Sequence, residues 1–263
     1  MLVVKDIIKF LEEKFPPHLA YDWDNVGLQI GDANCEVKSI MVELDATTPV
    51  INEAIEKGVD LIVTHHPFIF SPLKAIDLAT PKGENIRNLI KNDIAIYTMH
   101  TNYDVAPGGM NDRLAKEIGL EDCEPLCEDG LGRIGFNNNE YAKDIKKYVE
   151  HVIHQFALCG ANFIDGGKTH QIDKVAIIGG SGGKYIHEAK AAGADVFITG
   201  EITHHKALEA QEIGLSVIDV GHFIERRMEY DVTALIASQF SPEIKMCYST
   251  SVKNPIEYRL RRW

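Results

Sequence analysis

Four short stretches of this chain carry side chains able to do metal or acid–base chemistry. Val63-Thr64-His65-His66-Pro67 sets two imidazoles side by side. Successive residues of a strand point to opposite faces, so adjacent histidines inside one would diverge. At a strand end the chain turns, and Pro67 biases His66 towards an extended conformation. Both rings can then face one pocket, which suits one ligand for each of two ions. Taken alone, the pair fits polar residues facing solvent equally well. His100-Thr101-Asn102-Tyr103-Asp104 places a histidine and a carboxylate four residues apart. Both can reach a cation, and a carboxylate can bridge two ions roughly 3.5–4 Å apart. The plainer reading is a turn in which Asn102 and Asp104 cap backbone amides. Gly221-His222-Phe223-Ile224-Glu225 leaves a strand through a glycine and is expected to open a helix. His222 and Glu225 then share a face at i, i+3, although Glu225 could equally serve the helix dipole. Combined, independent strand ends deliver His65, His66, Asp104, His222 and Glu225, a nitrogen and oxygen set without thiolate. Such a set suits zinc, iron, manganese or cobalt. Five ligands exceed what one tetrahedral structural zinc needs, so two divalent ions with open positions are expected.

The fourth stretch is Thr199-Gly200-Glu201-Ile202-Thr203-His204-His205. If Gly200 ends a strand and Glu201 opens a helix, Glu201, His204 and His205 share a face. They are expected to orient ligands or move protons rather than to bind metal, and His100 joins Glu201 and His204 as a candidate for catalysis. Glu201-x-x-His204 also matches half of a di-iron helical-bundle motif, but that fold needs a second copy on another long helix. Gly179-Gly180-Ser181-Gly182-Gly183 follows an apolar strand and could cradle a phosphate with backbone amides. It fails the P-loop pattern, with Ile178 where the first glycine belongs and Tyr185 where Ser/Thr belongs, and a tight strand-to-helix turn is the better reading.

The elements that must position these residues become visible through a repeat. Aligning Gly58 with Gly193 superposes Ile51, Glu53, Ala54, Asp60 and Thr64 on Ile186, Glu188, Ala189, Asp195 and Thr199 without a gap, which points to duplication. Each copy reads as an apolar strand, a helix closed by glycine and a second apolar strand. A further strand ending in histidine follows each, at Ile94–His100 and Leu215–His222. Strands alternating with helices imply largely parallel sheets, whose ligand sites lie at the strands' carboxyl ends. The predicted fold is α/β, with two similar lobes, each three-layer α/β/α around a mixed, largely parallel sheet. Residues 1–125 and 226–263 are expected to form the first lobe and 126–225 the second. Gly130–Phe136 begins the second half, Glu140–His154 has helical periodicity with Tyr141, Ile145, Tyr148, Val149 and Val152 on one face, Ile224–Phe240 is helical, and Glu243–Tyr248 could return as a strand.

Bulk properties limit the partners. A net charge of −12 weighs against nucleic-acid binding, because a phosphate backbone selects Lys/Arg-rich faces. No apolar run reaches the roughly 18 residues of a membrane span, and the N-terminus lacks the pattern of a signal peptide, so the expected location is cytoplasmic, without membrane contact. The five cysteines are odd in number and scattered, with only Cys123 and Cys127 close, and read as buried, reduced thiols.

His65-His66-Pro67, His100-Thr-Asn-Tyr-Asp104, Ile198-Thr-Gly-Glu-Ile-Thr-His-His205 and Gly221-His222-Phe-Ile-Glu225, with Asp22-Trp-Asp-Asn-Val-Gly-Leu28, together resemble the GTP cyclohydrolase 1 type 2 family, the Nif-three-like proteins. The resemblance covers nearly the whole chain, which lacks the inserted domain of the longest members. It implies a two-lobed α/β fold whose chain returns to the first lobe, and ring-shaped homohexamers. It also implies a dinuclear centre held by His65, His66, Asp104, His222 and Glu225. The implied substrate is a small molecule, with GTP as the named candidate: C8 of the purine ring is attacked and formate released. Shared fold and ligands do not fix a substrate, and the sequence holds no obvious guanine-reading motif. Hydrolysis of another small substrate such as a phosphoester, or a non-enzymatic ring that handles metal or engages a protein partner, therefore stands beside it.

Overall fold

A computed structural model describes residues 1–167 and 171–257, and the chain divides into two compact units. Met1–Ala106 and Arg226–Lys253 form the first; Pro107–Glu225, with residues 254–257, forms the second. In the first unit the chain runs through α1 (Val4–Lys14), β1 (Gly27–Ile30), β2 (Ser39–Glu43), α2 (Thr48–Lys57), β3 (Leu61–Thr64), α3 (Pro81–Lys91), β4 (Ala95–Thr98) and α4 (Thr101–Val105). Val4, Ile7 and Leu11 give α1 a single buried face, and its start is fixed by Asp6, whose carboxylate accepts from Val3 N at 3.0 Å. Gly58 closes α2 at φ 64°, a left-handed position that a side chain would strain.

The second unit holds α5 (Met110–Glu117), β5 (Leu120–Pro125), β6 (Arg133–Asn137), α6 (Ile145–Gln155), β7 (Asn162–Ile164), β8 (Lys174–Ile178), α7 (Ile186–Ala191), β9 (Val196–Thr199), α8 (His204–Glu212) and β10 (Ser216–Asp219). Its six strands lie in the order β5-β6-β8-β9-β10-β7, with β8, β9 and β10 parallel and the others antiparallel. Because β5 pairs with β6, the division falls after Ala106 rather than after residue 125. Residues 258–263, read from the sequence as part of the first lobe, lie outside the described residues. The helix expected from Glu140 begins at Ile145, since the Asp144 carboxylate accepts from Lys146 N and Lys147 N and caps it there.

The chain then returns to the first unit through α9 (Arg227–Phe240) and β11 (Lys245–Cys247), completing a five-stranded sheet of order β1-β4-β3-β2-β11. β1 is antiparallel to β4 and the remaining pairs are parallel. Met41, Ile62 and Ile96 pack with Val50, Ile51, Ala54, Ile86 and Leu89 of α2 and α3. Their strand neighbours Val42, Val63 and Tyr97 are also buried and point the other way, where α9 packs on β2. A sheet covered on both faces explains strands that are continuously apolar rather than alternating.

The repeat has a structural meaning. Asp60 accepts from Lys38 N and Ser39 N at the start of β2, and Asp195 from Asp173 N and Lys174 N at the start of β8. Each identical aspartate thus fastens the strand that precedes its own. No helix among the described residues is long and apolar enough to cross a membrane. The cysteines form no disulfide, but Cys247 alone is buried, while Cys35, Cys123 and Cys159 are exposed, contrary to the expected buried thiols. Cys123 is exposed because only the first residue of β5 is buried. Burial, helped by Asp129, pushes the Cys127 thiol up to about 11, away from the thiolate a metal would need.

Candidate metal centre

In the first unit β2, β3 and β4 run parallel in register, so their carboxyl ends present neighbouring loops. β2 leads into Asp45, β3 into His65 and His66, and β4 into His100 and α4. The ladder continues past β3: His65 N donates to Glu43 O at 3.2 Å and His66 N to Leu44 O at 3.0 Å. With both backbones held and the chain turning at Pro67, the two rings converge, their centroids 5.1 Å apart and planes at 45°. His100 lies 5.2 and 5.7 Å from them. His65 is fully buried and the other two are half-buried.

All three rings are anchored through the same atom. His65 Nδ1 donates to Met99 O at 3.0 Å, His66 Nδ1 to Asp45 Oδ1 at 2.8 Å and His100 Nδ1 to Asp24 Oδ1 at 2.8 Å. A carbonyl or ionised carboxylate can only accept, so Nδ1 carries the proton and Nε2 keeps its lone pair. This is how metal-binding histidines are held. One ligand nitrogen from each ring lies within 4.8 Å of the other two. In the first turn of α4, Asp104 Oδ1 is 3.6 Å from His65 Nε2. Asn102 takes the capping role expected of a turn, accepting from His100 N at 3.0 Å. Asp24 also accepts from Thr101 N at 3.0 Å. Burial alone would raise its pKa, but the hydrogen bonds from His100 and Thr101 outweigh burial and hold it at about 2.

In the second unit Gly221 leads from β10 into a 3₁₀ turn, His222–Arg226, where an α-helix was expected from residue 224. In a 3₁₀ turn residues i and i+3 eclipse, which brings His222 Nε2 to 3.0 Å from Glu225 Oε2. Two ligands each about 2.1 Å from one ion stand about 3.0–3.4 Å apart, so the donor set and its spacing fit a cation. Glu225 is 3 % exposed, and Gly180, at φ 55°, makes room for it: a Cβ there would come within 2.8 Å of Glu225 Oε1. The rest of the glycine turn is not a phosphate cradle. Gly179 N donates to Asn111 Oδ1, Gly182 N to Thr199 Oγ1 and Gly183 N to Glu201 O, so these amides are already spent.

Glu201 Oε1 lies 3.1 Å from His222 Nδ1, and Ser181 Oγ donates to the other carboxylate oxygen. Burial would raise the Glu201 pKa, but the hydrogen bonds from Ser181 and His222 bring it below the ordinary carboxylate value. Glu201 stands outside the helix it was expected to open. Thr203 caps α8 by accepting from Lys206 N, so the helix begins at His204. His204 and His205 are exposed in its first turn, ring centroids 5.7 Å apart. Sequence reasoning passed over Asp24, Asp45 and Ser181. Asp24 lies in the quoted Asp22–Leu28 motif and Asp45 follows the carboxyl end of β2, so position alone could have singled them out.

The model of the family described as Duf34/NIF3 (NGG1p interacting factor 3) matches residues 2–255. A Clostridium perfringens protein named GTP cyclohydrolase 1 type 2 homolog is 35% identical, over 97% of this chain and 99% of its own. Among solved structures, a Staphylococcus aureus protein superposes with a TM-score of 0.89 at 32% identity, covering 98% of this chain and 99% of that one. A Bacillus cereus protein related to NIF3 gives 0.90 at 28%, with the same coverage.

Proposed function

Because the chain belongs to the Duf34/NIF3 family, we propose that it is a dinuclear metal-dependent hydrolase acting on a nucleotide, of the GTP cyclohydrolase type, which opens the purine ring at C8 and releases formate. The observation that supports this most is the group of three histidines in the first unit, each with Nδ1 tied to an oxygen and with one ring nitrogen of each within 4.8 Å of the other two. In this reading His65, His66, Asp104, His222 and Glu225 would hold the ions. Two divalent ions would supply acidified water and polarise the electrophile.

The chain's own residues do the rest. Asp45 and Asp24 fix the tautomers of His66 and His100, so no proton has to leave Nε2 before a cation or substrate approaches. His100, half-buried and backed by an ionised Asp24, can take a proton at Nε2 and stabilise the resulting imidazolium. Glu201, kept ionised by Ser181 and His222, is an acceptor held in a fixed orientation. His204 is exposed and can exchange protons with solvent. Metal analysis of the purified protein, followed by incubation with GTP and assay of formate, tests the proposal. The expected result is bound divalent metal and formate equal to ring-opened triphosphate product. Metal-loaded protein that releases no formate from GTP would overturn the cyclohydrolase reading.

A further inference from the structure

Trp23 and Phe70 stand beside the histidines of the first unit and are 56% and 54% exposed. Isolated exposed aromatics are ordinary; these two touch, and the backbone beneath them is pinned. Next to Trp23, Asp24 is held by His100 and Thr101, and Tyr21 N donates to Thr101 Oγ1 at 3.1 Å. Next to Phe70, Ile69 N donates to Gln29 Oε1 at 2.7 Å and Ile69 O accepts from Asn25 Nδ2 at 2.5 Å. The two loops are thereby laced together while their largest apolar side chains stay open to solvent. Holding such surface in water forgoes the free energy of burying it, and rigid support under it is what a stacking surface needs.

Tyr21 stacks on Trp23, with centroids 5.6 Å apart and planes at 26°. Trp23 and Phe70 are 6.0 Å apart and splayed by 56°, an open corner rather than a closed stack. Both meet His100 edge-on, at 6.2 and 6.4 Å, each at 76°. An open aromatic corner next to an anchored imidazole can take a planar ring by stacking, the interaction that recognises bases without reading their edges.

We propose that Trp23 and Phe70 are the platform on which a planar heteroaromatic ring of the substrate, a nucleobase or close relative, stacks beside His100. That the ring is a purine rests on the hydrolase reading above; the platform rests on the geometry. Leu73, Ile76 and Leu78 are exposed further along the same stretch, and contact with a second copy of the chain is the outcome that sedimentation reads.

The chain has two tryptophans, so Trp263→Phe leaves Trp23 as the sole reporter. Titrating that full-length protein with guanosine, GTP and inorganic triphosphate should give saturable quenching by the first two and none by the third. Trp23→Leu should weaken guanosine binding, measured by equilibrium dialysis, by about ten-fold or more. Trp23→Phe should largely restore it, with metal content and sedimentation unchanged throughout. Absence of quenching by guanosine overturns the platform, as does Trp23→Leu dissociating the protein while leaving guanosine affinity intact. Quenching without formate release overturns the hydrolase reading alone, and formate release without quenching overturns the platform alone. The fluorescence result needs no substitution at Trp23, so a misfolded variant would not leave the question open.

Discussion

Asp24, Asp45 and the carbonyl of Met99 do for three imidazoles what no histidine does for itself: they decide which nitrogen carries the proton. Glu201 stands in a comparable relation to His222, and Glu201→Gln tests it. The amide can still meet Ser181 and His222 but cannot take a proton, so metal content and melting temperature should hold while any hydrolytic rate falls about 10²–10⁴-fold. Lost metal would make Glu201 a ligand instead, and a lower melting point at unchanged rate would make it a structural group. Glu43 shows a different use of burial. Desolvation, with Glu229 beside it, pushes its pKa up to about 8 from an ordinary 4.5. The folded state then holds a proton that the unfolded state has released, so stability falls as pH rises across that window and levels off above it. The slope is about 1.4 kcal/mol per pH unit. Wild type should therefore melt several degrees lower at pH 8 than at pH 5, and Glu43→Gln should lose much less; parallel curves would contradict the assignment.

At the level of elements, the chemistry sits where short strands stop. β2, β3, β4, β9 and β10 are four or five residues long, and within a few residues of each follows a candidate ligand or a carboxylate that orients a histidine. These strand ends, and the glycine that closes each helix of the repeat, were legible because continuous apolar runs and Gly58 or Gly193 have direct physical signatures. The 3₁₀ turn of His222 and Glu225 was not, since an i, i+3 pair reads the same in either helix. Nor was the clasp on the returning chain: Glu53 of α2 accepts from Thr250 N and Ser251 N at 3.0 Å and from Ser249 Oγ at 2.7 Å. Burial would raise its pKa, but Lys57 and these donors hold it well below the carboxylate range. Glu53→Ala should cost about 2–3 kcal/mol, as several charge-assisted hydrogen bonds are lost together, and should speed proteolysis after Tyr248. An unchanged digestion rate would show that the clasp is dispensable.

For the whole molecule, the family resemblance and the acidic surface together lead to an expected homohexamer carrying two divalent ions in each chain. Sedimentation equilibrium at micromolar concentration should give about six times 29.3 kDa; a monomer would contradict it. Metal analysis should give about two equivalents per chain, reduced in His66→Ala or Asp104→Ala without loss of fold. Ions that bind the folded chain and not the unfolded one would stabilise it, so chelation should lower the melting temperature in a metal-dependent way. No metal in folded protein from metal-supplemented growth would remove the centre altogether.

The sequence by itself determined the fold class, the duplication and the candidate ligands, because each is written in local terms: apolar runs, glycine stops, and His or Asp at the ends of strands. Tertiary structure decided which distant groups pair with one another. Asp24 reaches His100, Glu43 meets Glu229, and Glu53 holds Ser249, over separations at which spacing carries no signal. It also decided that Glu201 lies outside α8 and that α5 and β5 belong with the second sheet. The physical reason is common to all of these: a hydrogen bond or a buried charge depends on what the fold brings within about 3 Å, and the order of residues along the chain specifies that only once the sheet has formed.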